Sequence, residues 1–305
     1  MHNLIKKVIE DKIGKKVIEI TEYSHARVNK VYCIKTKNLE VVMKIAPKRH
    51  DKYPNKFDIE KYAFLLCRKR GLPTPKVILI DNSRGIFDTP YTISKKLPGD
   101  IINYDSLNQE QINVALKNMG HSLSIIHSIK TRGFGPFNLN GVGTWSNWSQ
   151  ILEDKLESLE KIYRYNIITS KLKEGLNLAI DKNSELSDHP NPCLIHGDYN
   201  LTNLLIDNSQ NITGIVDMEH CYSGDPIYDL ALFDYYYSKQ GFLKILMSGY
   251  SNIDLEKEKK KILFYKAIIS ISKLAWKYET KQFLNTIKPS VSLLEKQINQ
   301  LIYGY

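Results

Sequence analysis

His196-Gly197-Asp198-Tyr199-Asn200-Leu201-Thr202-Asn203, followed by Ile215-Val216-Asp217-Met218-Glu219, is the stretch whose reading decides the fold. Between the two acidic segments lie Leu204-Leu205-Ile206-Asp207, then Asn208-Ser209-Gln210-Asn211, then Ile212-Thr213-Gly214-Ile215-Val216. An apolar run, a polar turn and a second apolar run predict a β-hairpin. With the turn centred near Ser209 and Gln210, antiparallel pairing puts Asn203 almost opposite Asp217. An amide oxygen and a carboxylate at the open end of one hairpin are hard oxygen donors, suited to Mg²⁺ carrying a polyphosphate. Asp198 lies in the loop feeding the first strand. From there it can accept a proton from a substrate hydroxyl.

Asp and Asn are common in turns, and His-Gly-Asp alone carries little information. Spacing, hairpin and flanking residues carry it jointly, and Asp-x4-Asn followed by an Asp on the partner strand is also the kinase arrangement. The segment resembles the aminoglycoside phosphotransferase and choline kinase-like family, whose signature is a His-Gly-Asp loop ending in Asn and then a strand ending in Asp. Gly224-Asp225-Pro226 and Asp229-Leu230-Ala231 continue the resemblance, which is dense over residues 190–235 and thinner elsewhere. It implies a two-lobed, protein-kinase-like α+β fold, with a small antiparallel-sheet N-lobe and a larger, mainly helical C-lobe. It also implies Asp198 as catalytic base and Asn203 and Asp217 as metal ligands. Met218-Glu219 stands where protein kinases carry Phe-Gly, which argues against a protein kinase.

At 305 residues the chain exceeds the usual single-core size, so two lobes sharing a cleft are expected. Its 42% apolar and 25% charged residues are ordinary for a soluble enzyme, and a cytoplasmic monomer or homodimer is expected. No apolar stretch approaches the roughly 18 residues needed to span a bilayer, so no membrane partner is expected. Leu4, Ile5, Val8 and Ile9 alternate with charged residues in an amphipathic opening helix. Cys33, Cys67, Cys193 and Cys221 lack Cys-x-x-Cys spacing and read as buried small hydrophobes. The net charge of +10 is uneven: residues 1–95 hold 21 Lys+Arg against 10 Asp+Glu, residues 96–305 hold 22 against 23. A basic first lobe attracts an anionic nucleotide. No nucleic-acid module accompanies the charge, and no nucleic-acid partner is expected.

Val17–Ile20, Val28–Ile34 and Glu40–Ile45 are short β-rich runs that predict an antiparallel sheet. Lys44, flanked by Met43 and Ile45, calls for a partner, because ammonium groups seldom sit among apolar neighbours alone. A helix predicted over 57–70, with Asp58 as N-cap, carries Glu60 beside its apolar stripe. Lys44 and Glu60 match the strand-Lys to helix-Glu ion pair that orients the α/β-phosphates in kinases. The nucleotide-covering loop falls at residues 21–29 and contains no glycine, so Ser24 and nearby amides are the candidate phosphate contacts.

Pro90-Tyr91-Thr92-Ile93-Ser94-Lys95-Lys96-Leu97-Pro98-Gly99 reads as a strand entering a breaker. It resembles the family's interlobe connection, which implies adenine binding by backbone near Ser94, Lys96 and Leu97, and sets the lobe boundary between residues 95 and 96. Residues 108–129 follow helical spacing, with His127 expected as a core histidine. Trp145 and Trp148 are expected to pack rather than line a cleft. A charged helix is expected over 148–165, and helices over 243–247, 262–277 and 291–302. The charge run at 256–261 is expected to be a solvated face.

The resulting expectation is ATP- or GTP-dependent, Mg²⁺-assisted phosphorylation of a small-molecule hydroxyl, the first choice of acceptor being an aminoglycoside or similar amino-sugar compound. Choline, methylthioribose, homoserine, fructosamine-type and macrolide acceptors share the motif. A weakly active nucleotide-binding regulatory protein is the competing class, motivated by the glycine-free loop.

Overall fold

The structure, a computed structural model, describes residues 1–23, 28–48, 55–189, 191–251 and 253–304. Along the chain the elements are α1 (His2–Val8), a π-helical turn (Ile9–Ile13), β1 (Val17–Glu22), β2 (Lys30–Thr36), β3 (Glu40–Ile45), α2 (Lys56–Arg68), β4 (Val77–Asp81), β5 (Tyr91–Lys95) and β6 (Asp100–Ile101). There follow α3 (Gln109–His127), β7 (Phe134–Phe137), β8 (Gly143–Trp145), α4 (Gln150–Arg164), α5 (Ser170–Asp181), β9 (Cys193–Ile195), β10 (Leu204–Ile206), β11 (Ile212–Ile215) and β12 (Tyr222–Gly224). The chain continues through α6 (Ile227–Tyr237), α7 (Phe242–Met247), α8 (Leu255–Thr280) and α9 (Ile287–Tyr303). Two compact units result, Met1–Asn103 with Thr202–His220, and Tyr104–Leu201 with Cys221–Tyr305.

The first unit is built on a five-stranded sheet in the order β1-β2-β3-β5-β4. Strand alternation sorts its side chains: Val41, Met43 and Ile45 of β3 face a core with Tyr32, Ile34, Tyr91 and Ile93. Ile5, Val8 and Ile9 of the opening helix cover the same face, so the amphipathic N-terminus closes this core. Lys44, one residue out of phase, is thereby turned to the other face. There it meets α2. The helix starts at Lys56 with Asn55 as N-cap, not Asp58 as the sequence suggested; Asp58 sits in the first turn and accepts from Asn82 instead.

Residues 96–103 and the 202–220 hairpin group with this first unit because hydrogen bonds tie them there. Strand β6 pairs with β10, which pairs with β11. Ile215 N–H bonds to Pro73 O at 2.8 Å and Thr213 Oγ1 to Pro98 O at 2.7 Å. The hairpin register is Leu204↔Ile215 and Leu205↔Gly214, with an irregularity before Ile206↔Ile212. The irregularity is confined to the turn side, and the open end keeps the expected register: Asn203 stands opposite Val216, whose N–H bonds to Asn203 O at 3.0 Å, one residue from Asp217. Asp217 comes one residue later, in the left-handed region at φ 64°.

The second unit is mainly helical. Its four-stranded sheet, β8-β7-β12-β9, delivers the buried β9 into the His196 loop. Helix α3 opens on a capping box, in which Asn108 and Gln111 each satisfy the other's backbone N–H. Gly120 of α3 lies against Leu246 of α7, where a Cβ would come 1.9 Å from the Leu246 carbonyl oxygen. Trp148 is fully buried, packs on Gly224 and donates Nε1–H to Tyr265 OH at 3.0 Å, so its role is packing, as expected. The 256–261 charge run is solvated except at its end: Lys261 reaches the buried Asp225 at 2.5 Å. No helix among the described residues is long and apolar enough to cross a membrane.

Candidate active site

In the first unit, Lys44 Nζ lies 2.7 Å from Glu60 Oε1 and 2.8 Å from Asp217 Oδ1. The strand supplies the ammonium, α2 the first carboxylate, and the hairpin end the second. Burial works against the Lys44 charge, but Asp217, Glu60 and Glu219 outweigh it and hold the ammonium protonated above its usual range. Burial likewise raises the Glu60 carboxyl; Lys44 pulls it back only in part, because Asp217 and Glu219 add negative charge nearby. This cation is therefore fixed in place and in charge, as a phosphate-orienting lysine must be.

A second buried network, which the sequence reading missed, adjoins it. Glu219, with its side chain 2% exposed, lies 3.0 Å from Lys56 Nζ. Asn29 links the two, donating Nδ2–H to Glu219 Oε2 at 3.0 Å and accepting from Lys56 Nζ at 2.7 Å. Burial and Asp217 push the Glu219 carboxyl up, yet Lys44, Lys56 and His220 outweigh them and leave it below its usual value. One sequence signal was available: a Lys opening a helix opposes the helix dipole, which is tolerated best where a carboxylate compensates. Met218, between the two acids, is buried against Cys67 of α2.

Asp217 and Asn203 stand at the same hairpin end. Asp217 is one-third exposed on its side chain and Asn203 is nearly buried. One carboxylate and one amide oxygen fit Mg²⁺, which keeps waters and substrate phosphates as its remaining ligands. In the expected adenine segment, Ser94 is paired within the sheet opposite Val42. Lys96 spends its N–H on Glu40 O at 3.1 Å and its ammonium on Glu40 Oε2 at 2.8 Å. Leu97 follows, packed beside Gly214. Ser24 lies outside the described residues.

In the second unit, Asp198 is held by its loop and by two helices. Asp229, fully buried on α6, accepts from His196 N–H at 2.7 Å and Gly197 N–H at 2.9 Å, and lies 3.1 Å from His127 Nε2. The loop turns through Gly197 at φ 77°. Tyr199 OH donates to Met119 O of α3 at 2.8 Å, anchoring the far side. His127 is thus a satisfied core histidine, as read from the sequence, with Tyr250 OH 2.6 Å from its other nitrogen. Asp198 itself keeps a side chain about one-quarter exposed, with Oδ1 accepting from Tyr236 OH at 3.2 Å and Lys273 Nζ standing 3.8 Å away. Neither α6 Tyr236 nor α8 Lys273 was legible as a site residue.

Burial pushes the Asp229 carboxyl up, but the hydrogen bond and charge of His127, with His196, hold it below its usual value. A carboxyl depressed on folding stabilises fully above its unfolded pKa of about 4 and loses that stability as pH falls through the folded value. Asp229→Asn is expected to cost about 3 kcal/mol near neutrality, as loss of a buried charge partner does. Denaturant midpoints against pH check this: the gap between wild type and variant should narrow as the solution is acidified.

Residues 19–256 match the model of the phosphotransferase enzyme family (APH). The chain belongs to this family. Among curated proteins, hygromycin-B 4-O-kinase of Escherichia coli is 23% identical over 181 residues, covering 56% of this chain and 50% of that protein. Acyl-CoA dehydrogenase family member 10 of Mus musculus is 22% identical over 228 residues, 70% of this chain and 20% of that protein. The chain therefore spans about half the length of the first relative and a fifth of the second. Among solved structures, a thermostable mutant of aminoglycoside phosphotransferase APH(4)-Ia in ternary complex with ADP and hygromycin B matches with TM-score 0.74 and 16% identity, over 98% of this chain and 97% of that one. A putative fructosamine-3-kinase from Thermobifida fusca matches with TM-score 0.70 and 15% identity, over 97% and 98%. The fold of this phosphotransferase-family chain is accordingly the protein-kinase-like fold that its motif implied.

Proposed function

We propose that this chain transfers the γ-phosphoryl group of ATP (or GTP) to a hydroxyl of a small amino-sugar-like compound. The observation that carries the reading is Lys44, held by Glu60 and Asp217 in a geometry suited to a polyphosphate. Lys44 orients the α/β-phosphates, and Glu60 keeps Lys44 in place. Asn203 and Asp217 would hold Mg²⁺, which when bound supplies positive charge to neutralise the phosphate oxygens. Backbone beyond the paired Ser94, around Leu97, would receive the base, since the Lys96 N–H is engaged by Glu40 O. Asp198 aligns the acceptor hydroxyl and takes its proton as the oxygen bonds to the γ-phosphorus; the bond to the β-phosphate oxygen breaks with its electron pair, leaving the nucleoside diphosphate.

The choice of acceptor is supported by the compounds in the relatives' names. Acids around the motif do not extend that support, because Asp225, Asp229 and Asp234 are engaged by Tyr265 and Lys261, by His127 and by Lys266. The test is incubation with Mg·ATP and a panel of amino-sugar compounds including hygromycin B and fructosamines. Phosphorylated product from at least one compound is expected. Nucleotide consumption with no phosphorylated organic product from any would overturn the reading.

A further inference from the structure

The short segment that follows Asp217 is gripped at both ends of α2. Glu219 Oε2 lies 3.0 Å from Nζ of Lys56, the first residue of the helix, and Met218 Sδ lies 3.8 Å from Sγ of Cys67, the last but one. Asn29, at the entry to β2, closes the first grip. Its Nδ2–H donates to both Glu219 oxygens, at 3.0 and 3.2 Å, and its Oδ1 accepts from Lys56 Nζ at 2.7 Å. Lys56 and Asn29 are buried, and so is the Glu219 side chain. The Phe57 ring, its centroid 5.0 Å from Lys56 Nζ, covers the ammonium. Glu60, one turn beyond Lys56, holds Lys44, and Lys44 holds Asp217. The side chains therefore form a ring, from α2 to Glu219, along the backbone to Asp217, across to Lys44 and Glu60, and back to α2.

A buried ion pair adds little net stability, because desolvating both charges offsets their attraction. Conformation is what this pair is placed to govern. Asp217 sits at φ 64°, a left-handed backbone that a residue other than glycine keeps only where its surroundings hold it. On one side of it, Val216 N–H bonds to Asn203 O at 3.0 Å. On the other, Met218 and Glu219 fasten the chain to α2. We propose that Lys56 is a positioning residue: through Glu219 it holds Asp217 in the conformation that presents its carboxylate to the Mg²⁺ of a bound nucleotide. The proposal rests on the reading of Asp217 as a metal ligand and goes beyond it, giving a role to a lysine that the phosphotransfer step does not use. Groups that orient a metal ligand are worth about 10–100-fold in metal affinity. A pair that served folding alone would instead lower the fraction of binding-competent protein and leave the affinity of the folded fraction unchanged.

The test is calorimetric titration of the full chain with ATP, in the presence and absence of Mg²⁺, beside thermal melting. In Lys56→Met the dissociation constant of Mg·ATP is expected to rise about ten-fold or more, while that of metal-free ATP changes far less. Lys56→Arg keeps a cation opposite Glu219 and is expected to bind Mg·ATP nearly as wild type does. Lys56→Met leaves the Glu219 carboxylate buried without its lysine, which can unfold the chain. Lys56→Met/Glu219→Gln guards against this, since it buries no charge there and keeps an acceptor for Asn29. Its melting temperature should return towards wild type while Mg·ATP binding stays weak. Three results overturn the proposal: unchanged Mg·ATP affinity in Lys56→Met, affinity recovering together with the melting temperature in the double variant, or an equal loss with and without Mg²⁺. The last would place Lys56 at the nucleotide rather than behind the metal ligand. A wild type that binds ATP equally with and without Mg²⁺ overturns the metal-ligand reading of Asp217 itself. A wild type that gains from Mg²⁺, with Lys56→Met gaining as much, leaves that reading standing and removes only the proposal.

Discussion

Asp198→Asn is expected to lower phosphoryl transfer by about 10²–10⁴-fold while leaving Mg·ATP affinity within about a factor of two, the range typical of a positioned proton acceptor. The amide keeps the size and the hydrogen bond from Tyr236 but loses the charge that receives a proton. The loop does not depend on this side chain for its shape. Asp229 holds the His196 and Gly197 amides, Tyr199 holds Met119, and the Asp198 N–H itself points to His196 Nδ1 at 3.3 Å. Structural collapse is thus not the cause of the expected loss, and an unchanged melting temperature will show it. Full turnover in the variant would remove Asp198 from the reaction.

Asp217→Asn is expected to weaken Mg·ATP binding and turnover together, by about 10²-fold or more in kcat/KM for the nucleotide. The effect has two sources. The carboxylate is an anionic oxygen donor at the hairpin end with a partly exposed side chain, and Mg²⁺ binds such oxygens far better than an amide. It also holds Lys44 at 2.8 Å, so its loss leaves Lys44 to Glu60 alone. Asn is the substitution of choice because Asp217 sits at φ 64°, a conformation Asn tolerates and Ala does not. The two variants should therefore separate: one spares nucleotide binding, the other does not. Isothermal titration with Mg·ATP beside steady-state rates measures both.

The hairpin, the alternation that isolates Lys44, and its pairing with Glu60 were legible because each depends on local periodicity. Helix α3 was legible for the same reason, with its cap at Asn108. The hairpin irregularity at Ile206 was not, since a one-residue shift near the turn leaves the apolar pattern unchanged; the open end keeps the expected register, with Asn203 opposite Val216 and one residue from Asp217. The cap of α2 was placed at Asp58, three residues beyond Asn55, because Asn and Asp cap equally well by type and residue type alone does not choose between them. Lys56, Asn29 and Glu219 escaped because each looks solvent-exposed in its own segment, and only the fold buries them together. Tyr236 and Lys273 escaped for a related reason. They lie on helices whose faces are set by packing, 38 and 75 residues beyond Asp198.

The central claim is that this family member moves a phosphoryl group from a nucleotide to a small-molecule hydroxyl through Asp198. Phosphorus NMR of reactions containing Mg·ATP and the acceptor panel, run with wild type and with Asp198→Asn, tests it most directly. The account predicts a phosphomonoester resonance growing in step with ADP for wild type, and ATP left essentially intact by the variant. A wild type that yields only ADP and inorganic phosphate, or a variant that forms the phosphomonoester at the wild-type rate, would contradict it.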